Sequence, residues 1–159
     1  MDYHTQTCEA DRLTAFARAV RESTLERLRR VPAGQENWRF APGAMSIADL
    51  AQHLVDTDEW FFKKLEVKTL NPILGVAGSV TVANRAAYQA LIDALVRTGE
   101  QRCALLENLT DDQLDEQIFD ARFGGEVSLW WIVVRGNLDH EIHHRGQIAS
   151  YLRAMGVST

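Results

Sequence analysis

The strongest constraint in this chain is a helical stripe near its C-terminal end that carries polar groups where a bundle helix normally carries Leu or Ile. Leu129, Val133, Gly136, Asn137, His140, His144, Gln147 and Tyr151 recur at spacings of three and four, which puts them on one face of a helix. Four of them, Asn137, His140, His144 and Gln147, are strongly polar. Burying such a group without a partner costs about 1–3 kcal/mol, so a cluster of them on an inward seam indicates a site. His140 and His144 stand about 40° apart around a helix axis. Both imidazoles can reach one ion, and a metal is the simplest partner for the pair.

The remaining pattern supplies a bundle for that seam. A first helix reads from about Glu9 to Arg30, with Leu13, Phe16, Ala17, Val20, Thr24 and Leu28 on one face. Arg27, Arg29 and Arg30 read as its solvated basic end. Pro32, Gly34, Pro42 and Gly43 then break the chain. A second helix starts at Ser46, which with Asp49 resembles a capping box, Asp replacing Glu or Gln. Its stripe is Ile47, Leu50, Leu54, Phe61 and Leu65. After a loop marked by Asn71, Pro72, Gly75 and Gly78, Thr81 is a candidate cap for a third helix with Tyr88, Leu91, Leu95, Gly99, Cys103 and Leu106 on one face. Gln117 to Ala121 and Glu126 to Val127 flank Phe123-Gly124-Gly125, which predicts a short β-hairpin, with an irregular loop as the alternative. Ser128 caps a fourth helix running to about Ala154, and Gly156 stops it. The expectation is an all-α fold, a four-helix bundle, in one domain spanning residues 1–159.

Composition excludes several classes of function. The formal charge of −5 is spread without a basic stripe, which argues against nucleic acid as a partner. Leu129 to Val134 is the longest strongly apolar run, too short to cross a bilayer. Cys8 and Cys103 match no metal or redox spacing and read as free thiols of a reducing compartment. Without a signal pattern at the N-terminus, the expected location is cytoplasmic.

Two histidines rarely hold an ion tightly, and a catalytic centre of the zinc type uses three protein ligands plus an open position. His4 reads as exposed near the N-terminus, and His143 sits one residue off the seam. His53 lies beside Leu50 and Leu54 at the edge of the second helix's stripe. If the second and fourth helices are neighbours, it completes a three-histidine set. His140 to His144 also spells H-E-x-x-H, which in a zinc peptidase would make Glu141 the general base. That reading is set aside: no His, Asp or Glu comes after His144, and no clear strand would hold a peptide. Glu141 is instead expected to face solvent or a neighbouring subunit. A di-iron centre needs a second E-x-x-H, which the chain lacks.

The histidine in Asp49-Leu50-Ala51-Gln52-His53-Leu54, together with His-Glu-Ile-His-His-Arg-Gly-Gln over residues 140–147, resembles the DinB-like (DinB/YfiT-like) metalloprotein superfamily. The resemblance spans essentially the whole chain and is sharpest from Leu129 to Gly156. It implies an up-down-down-up bundle and a divalent ion held by His53, His140 and His144. Zinc or nickel is the leading ion, with iron and manganese as alternatives. Characterised relatives include S-transferases and isomerases that use a low-molecular-weight thiol such as mycothiol, bacillithiol or glutathione. The implied activity is thiol transfer to a small-molecule substrate; a metal-dependent hydrolase or a non-catalytic metal-binding bundle are the alternatives. Asp56, Asn137, His143 and Gln147 are the candidates to fix histidine tautomers. Arg145 is a candidate to bind an anionic substrate or to pair with Asp139 or Glu141. Trp60 is a candidate to line the mouth of the site. Gly136 and Gly146 are expected to allow close helix approach, and one of Trp130 and Trp131 to face the bundle. Exposed aromatics and the habit of the family suggest a homodimer.

Overall fold

The protein is described by a computed structural model over residues 8–159, so His4 lies outside the described residues. Three long helices come first: α1 (Glu9–Arg29), α2 (Ile47–Glu66) and α3 (Arg85–Glu107). A single helical turn, α4 (Asp111–Leu114), precedes an antiparallel hairpin of β1 (Gln117–Asp120) and β2 (Gly125–Ser128). The last helix runs in three parts: α5 (Leu129–Trp131), a π-helical stretch (Ile132–Leu138) and α6 (Asp139–Ala154).

Local chemistry explains most of these boundaries. Ser46 accepts from the Asp49 amide while the Asp49 carboxylate accepts from the Ser46 amide, closing the capping box on α2. Ser128 caps α5 through the Trp131 amide. Gly156, at φ +78°, ends α6 in the left-handed region, and the Val157 amide donates back to Leu152. The cap of α3 is Asn84 rather than Thr81: its side chain accepts from the Ala87 amide, and Asn is as good a cap as Thr. Phe16, expected on the inner face of α1, is half exposed, and Arg21 is buried in that stripe instead.

The helices form an up-down-down-up bundle. Leu28 receives the Tyr88 hydroxyl while Arg18 meets Glu107, so α1 and α3 run antiparallel. Trp130 donates to Glu9 and Arg21 to Glu141, so α1 and the last helix run parallel. Tyr151 donates to the Met45 carbonyl, and His53 meets His140, which sets α2 antiparallel to α6. The long connection from Val67 to Asn84 is what lets α3 run beside α2 in the same direction.

The apolar interior is divided. One cluster joins Leu28, Leu50, Leu54, Tyr88, Ile92, Ile148 and Leu152. The other joins Leu13, Phe61, Leu106, Ile118, Ile132 and Leu138 beside the hairpin. Between them lies a buried charged layer with one member from each long helix: Arg21, Asp58, Arg102 and Glu141. Two guanidinium groups face two carboxylates, so the layer is neutral as a whole.

Candidate metal centre

His53 enters from the middle of α2, and His140 and His144 from the first turns of α6. The Nε2 atom of His140 lies 2.9 Å from that of His53 and 2.8 Å from that of His144. The three donor atoms all fall within 4.8 Å of one another. Burial, reinforced by the neighbouring rings, pushes His140 down to about 3. Burial likewise takes His144 down to about 4, against the pull of Gln147. His53 is also lowered by burial, with Asp56 opposing. The rings are therefore neutral near pH 7, and each has one bare nitrogen available to an ion.

The tautomer of His144 is set by its neighbour. Its Nδ1 lies 2.8 Å from Gln147 Oε1; Nδ1–H donates to that oxygen and leaves Nε2 bare, facing the other rings. An all-imidazole donor set, with His144 oriented by Gln147, fits a divalent transition metal such as zinc or nickel. The histidines border an open hollow of about 460 Å³, whose walls include Ile73, Leu74, Arg122, Phe123 and His143.

The other candidates from the sequence are spread around this centre. His143 is exposed at the rim, with its ring centroid 5.1 Å from that of His144. Asp56 accepts from Gln52 and lines a neighbouring hollow together with Trp60. Trp60 is buried, donates to the Asn71 carbonyl and offers its ring face to Arg122. Arg145 makes no hydrogen bond or ion pair among the described residues, because Asp139 is taken by Arg135 and Glu141 by other arginines. Trp130 packs partly buried against the core, while Trp131 is exposed, edge-on to Phe123. Gly146 has open space around it, so the close helix approach expected there is not made.

Two expectations are corrected. Glu141 faces neither solvent nor a partner surface: it is 2% exposed and accepts from Arg21 at 2.9 Å and Arg102 at 2.7 Å. Burial pushes its carboxyl up, but the two guanidinium groups outweigh it and hold it at about 2. Asn137 likewise joins the charged layer, accepting from Arg102 and donating to Asp58, and does not touch the histidines. The π-helical stretch is the cause. A wide turn inserts about one residue into the helix and rotates the residues beyond it. The face that starts at Leu129 and Val133 therefore continues through Asn137 and Glu141 to the bundle axis. His140 is thereby turned toward α2.

Sequence reading also passed over Arg21, Asp58 and Arg102, although each occupies an apolar stripe at helical spacing, as Leu54-Asp58-Phe61 and Gly99-Arg102-Leu106 show. Arg122 carried no signal at all, since its position depends on how the hairpin packs.

Comparison with known proteins agrees with this architecture. A sequence model of the DinB superfamily matches residues 17–148. YjoA, an uncharacterised protein of Bacillus subtilis, is 24% identical over 151 residues, which cover 94% of this chain and 92% of YjoA. The crystal structure of YjoA, described as DinB-like, superposes with a TM-score of 0.68 at 22% identity, covering 92% of this chain and 93% of that one. YfiT of Bacillus subtilis superposes with a TM-score of 0.76 at 17% identity over 99% of this chain and 95% of its own. YfiT is described as a "probable metal-dependent hydrolase with an unusual four-helix bundle topology". With the match running from the middle of α1 into α6, the chain belongs to the DinB superfamily.

Proposed function

We propose that the chain is a metal-dependent enzyme that holds one divalent ion on His53, His140 and His144 and acts on a small molecule in the adjoining hollow. The observation that carries this reading is the convergence of three neutral imidazole nitrogens at the wall of an open hollow rather than inside a closed core. A structural ion is enclosed by its ligands, whereas a catalytic one keeps an open position. His53, His140 and His144, as three neutral ligands, would leave a bound ion its full charge, which would lower the pKa of a water or thiol beside it.

The residues around the centre favour a thiol as nucleophile. Gln147 orients His144, and the side chains of Ile73, Leu74 and Phe123 supply apolar wall. Glu141, the base of the peptidase reading, is sequestered by Arg21 and Arg102. Among the described residues lining the hollow, the one carboxylate is Asp139, paired with Arg135. A thiol that ionises readily needs no positioned base, which supports transfer of a low-molecular-weight thiol to an electrophilic substrate. Hydrolysis is the second reading, favoured by His143 at the rim, placed to take a proton from an attacking water, and by the description of YfiT.

Elemental analysis is expected to find about one divalent ion per chain, and none in the His140→Ala/His144→Ala double variant. Stoichiometric metal in that variant would overturn the ligand assignment. The loaded protein is then assayed on electrophiles with a panel of thiols, and on esters and amides without them. Thiol-dependent turnover lost in the double variant supports the first reading; thiol-independent cleavage supports the second.

A further inference from the structure

The hairpin between α4 and α5 has no counterpart in a plain four-helix bundle, and it brings two side chains to the hollow, Phe123 and the charged Arg122. The Arg122 guanidinium is fixed from several directions. Its Nε and Nη2 donate to the two carboxylate oxygens of Asp120 at 3.0 and 2.8 Å, and its Nη1 donates to the Gly136 carbonyl at 3.2 Å. Its carbon lies 4.5 Å from the Trp60 ring centroid and 5.3 Å from that of Phe123, within cation–π range. Gly136 is required for this seat, because a Cβ there would stand 2.7 Å from Nη2. The π-helical stretch thus brings a bare backbone segment against a guanidinium, and the close approach expected of Gly136 is to Arg122 rather than to a helix.

Donor arithmetic shows what is left over. A guanidinium has five N–H groups, and Asp120 and Gly136 accept three of them. One N–H remains on each terminal nitrogen. The side chain is 24% exposed, and its open part borders the hollow beside the histidines. Asp120 does not cancel the local charge alone, because Lys64, fully buried, places its ammonium on the carbonyls of Leu70 and Phe119 in the same corner. Two cations against one carboxylate leave the corner behind this wall positive, and the other charged pair on the hollow, Arg135 with Asp139, is neutral. An immobilised arginine with spare donors has little ordering entropy to lose on binding and suits the fork of an oxyanion.

We propose that Arg122 is the anion-recognising residue of the hollow, so that the small molecule bound beside the three histidines carries a carboxylate or a phosphoryl group. This rests on the hollow being the substrate site, as proposed above, but not on the ion being present.

The test is a calorimetric titration of benzoate, phenyl phosphate and neutral benzamide into metal-free protein and into protein loaded with zinc. Wild type is expected to bind one or both anions in the metal-free state and to prefer them to benzamide; which anion binds more tightly identifies the group. Arg122→Gln is expected to weaken anion binding at least about tenfold while the zinc stoichiometry stays at the wild-type value, and Arg122→Lys to fall between. Leu74→Asp, at a lip residue 87% exposed, avoids the packed interior and is expected to weaken the anions by repulsion several-fold more than it weakens benzamide. Equal binding of anions and benzamide by wild type, or unchanged anion affinity in folded Arg122→Gln, would overturn the proposal and reduce Arg122 to a pin for the hairpin. Loss of zinc from wild type with anion binding intact would instead count against the three-histidine centre alone.

Discussion

Glu141 and His140 are adjacent in sequence, yet about 100° of helix rotation sends them to different neighbours. His140 looks across to α2, while Glu141 closes a layer in which Arg21, Asp58 and Arg102 have already left water. Removing one charge from such a group leaves the others buried without compensation, which costs about 3–5 kcal/mol. Glu141→Gln is therefore expected to destabilise the fold by that amount in urea denaturation while leaving metal stoichiometry unchanged. A general base would behave the other way, with activity lost and stability kept. At this scale the histidines were legible in the sequence because two imidazoles on an inward face need a partner. Glu141 was misplaced because its orientation depends on a turn whose width the 3.6-residue period does not encode.

Among the elements, α2 and the connection after it are coupled through a single carboxylate. Asp49 accepts from the amides of Ser46, Gly78 and Val80 and from the Ser79 hydroxyl, so it caps the helix that bears His53 and also ties down the strap that passes over it. Burial works against its charge, but these bonds prevail and hold its pKa below the usual value. At Gly75, near the ties, an added Cβ would lie 2.7 Å from Met45 Sδ and 3.3 Å from His53 Cδ2. Asp49→Ala is expected to cost about 2 kcal/mol or more, a cap loss of about 1 kcal/mol compounded by buried amides left unpaired. Hydrogen exchange at Gly78 and Val80 should accelerate first. The cap itself was readable from Ser46 and Asp49, and the hairpin from its paired glycines. The strap was readable only as a loop, because its contacts join residues about thirty positions apart.

For the whole molecule, metal and proton act on the same fold with different signs at different pH. In the metal-free protein His140 is held at about 3 and His144 at about 4, chiefly by burial, against an ordinary value of 6.5. As pH falls below 6.5 the unfolded chain takes up protons that the folded one refuses, so stability declines until the folded-state values are reached. Glu141, held at about 2 against an ordinary 4.5, adds stability that is complete above pH 4.5 and disappears as pH falls through 2. Both trends weaken the metal-free fold on acidification, the histidines first. Metal binding to the folded state responds differently. The His140 and His144 rings, unprotonated down to about pH 4, present their lone pairs throughout the range from 7 to 5, and burial lowers His53 in the same direction, so the ion meets little competition there. Chelator-competition titrations are expected to show zinc affinity changing less than about tenfold between pH 7 and 5. A solvent-exposed trio of ordinary histidines, each near 6.5, would lose several orders of magnitude over that range. Thermal unfolding across the same window is expected to show the metal-free midpoint falling while the increment conferred by saturating zinc persists, about 2.7 kcal/mol at a hundredfold excess over the dissociation constant. A zinc affinity that collapsed in step with ordinary imidazole protonation would mean that the rings stand in water when the ion is absent, and that the bundle does not hold them ready for it.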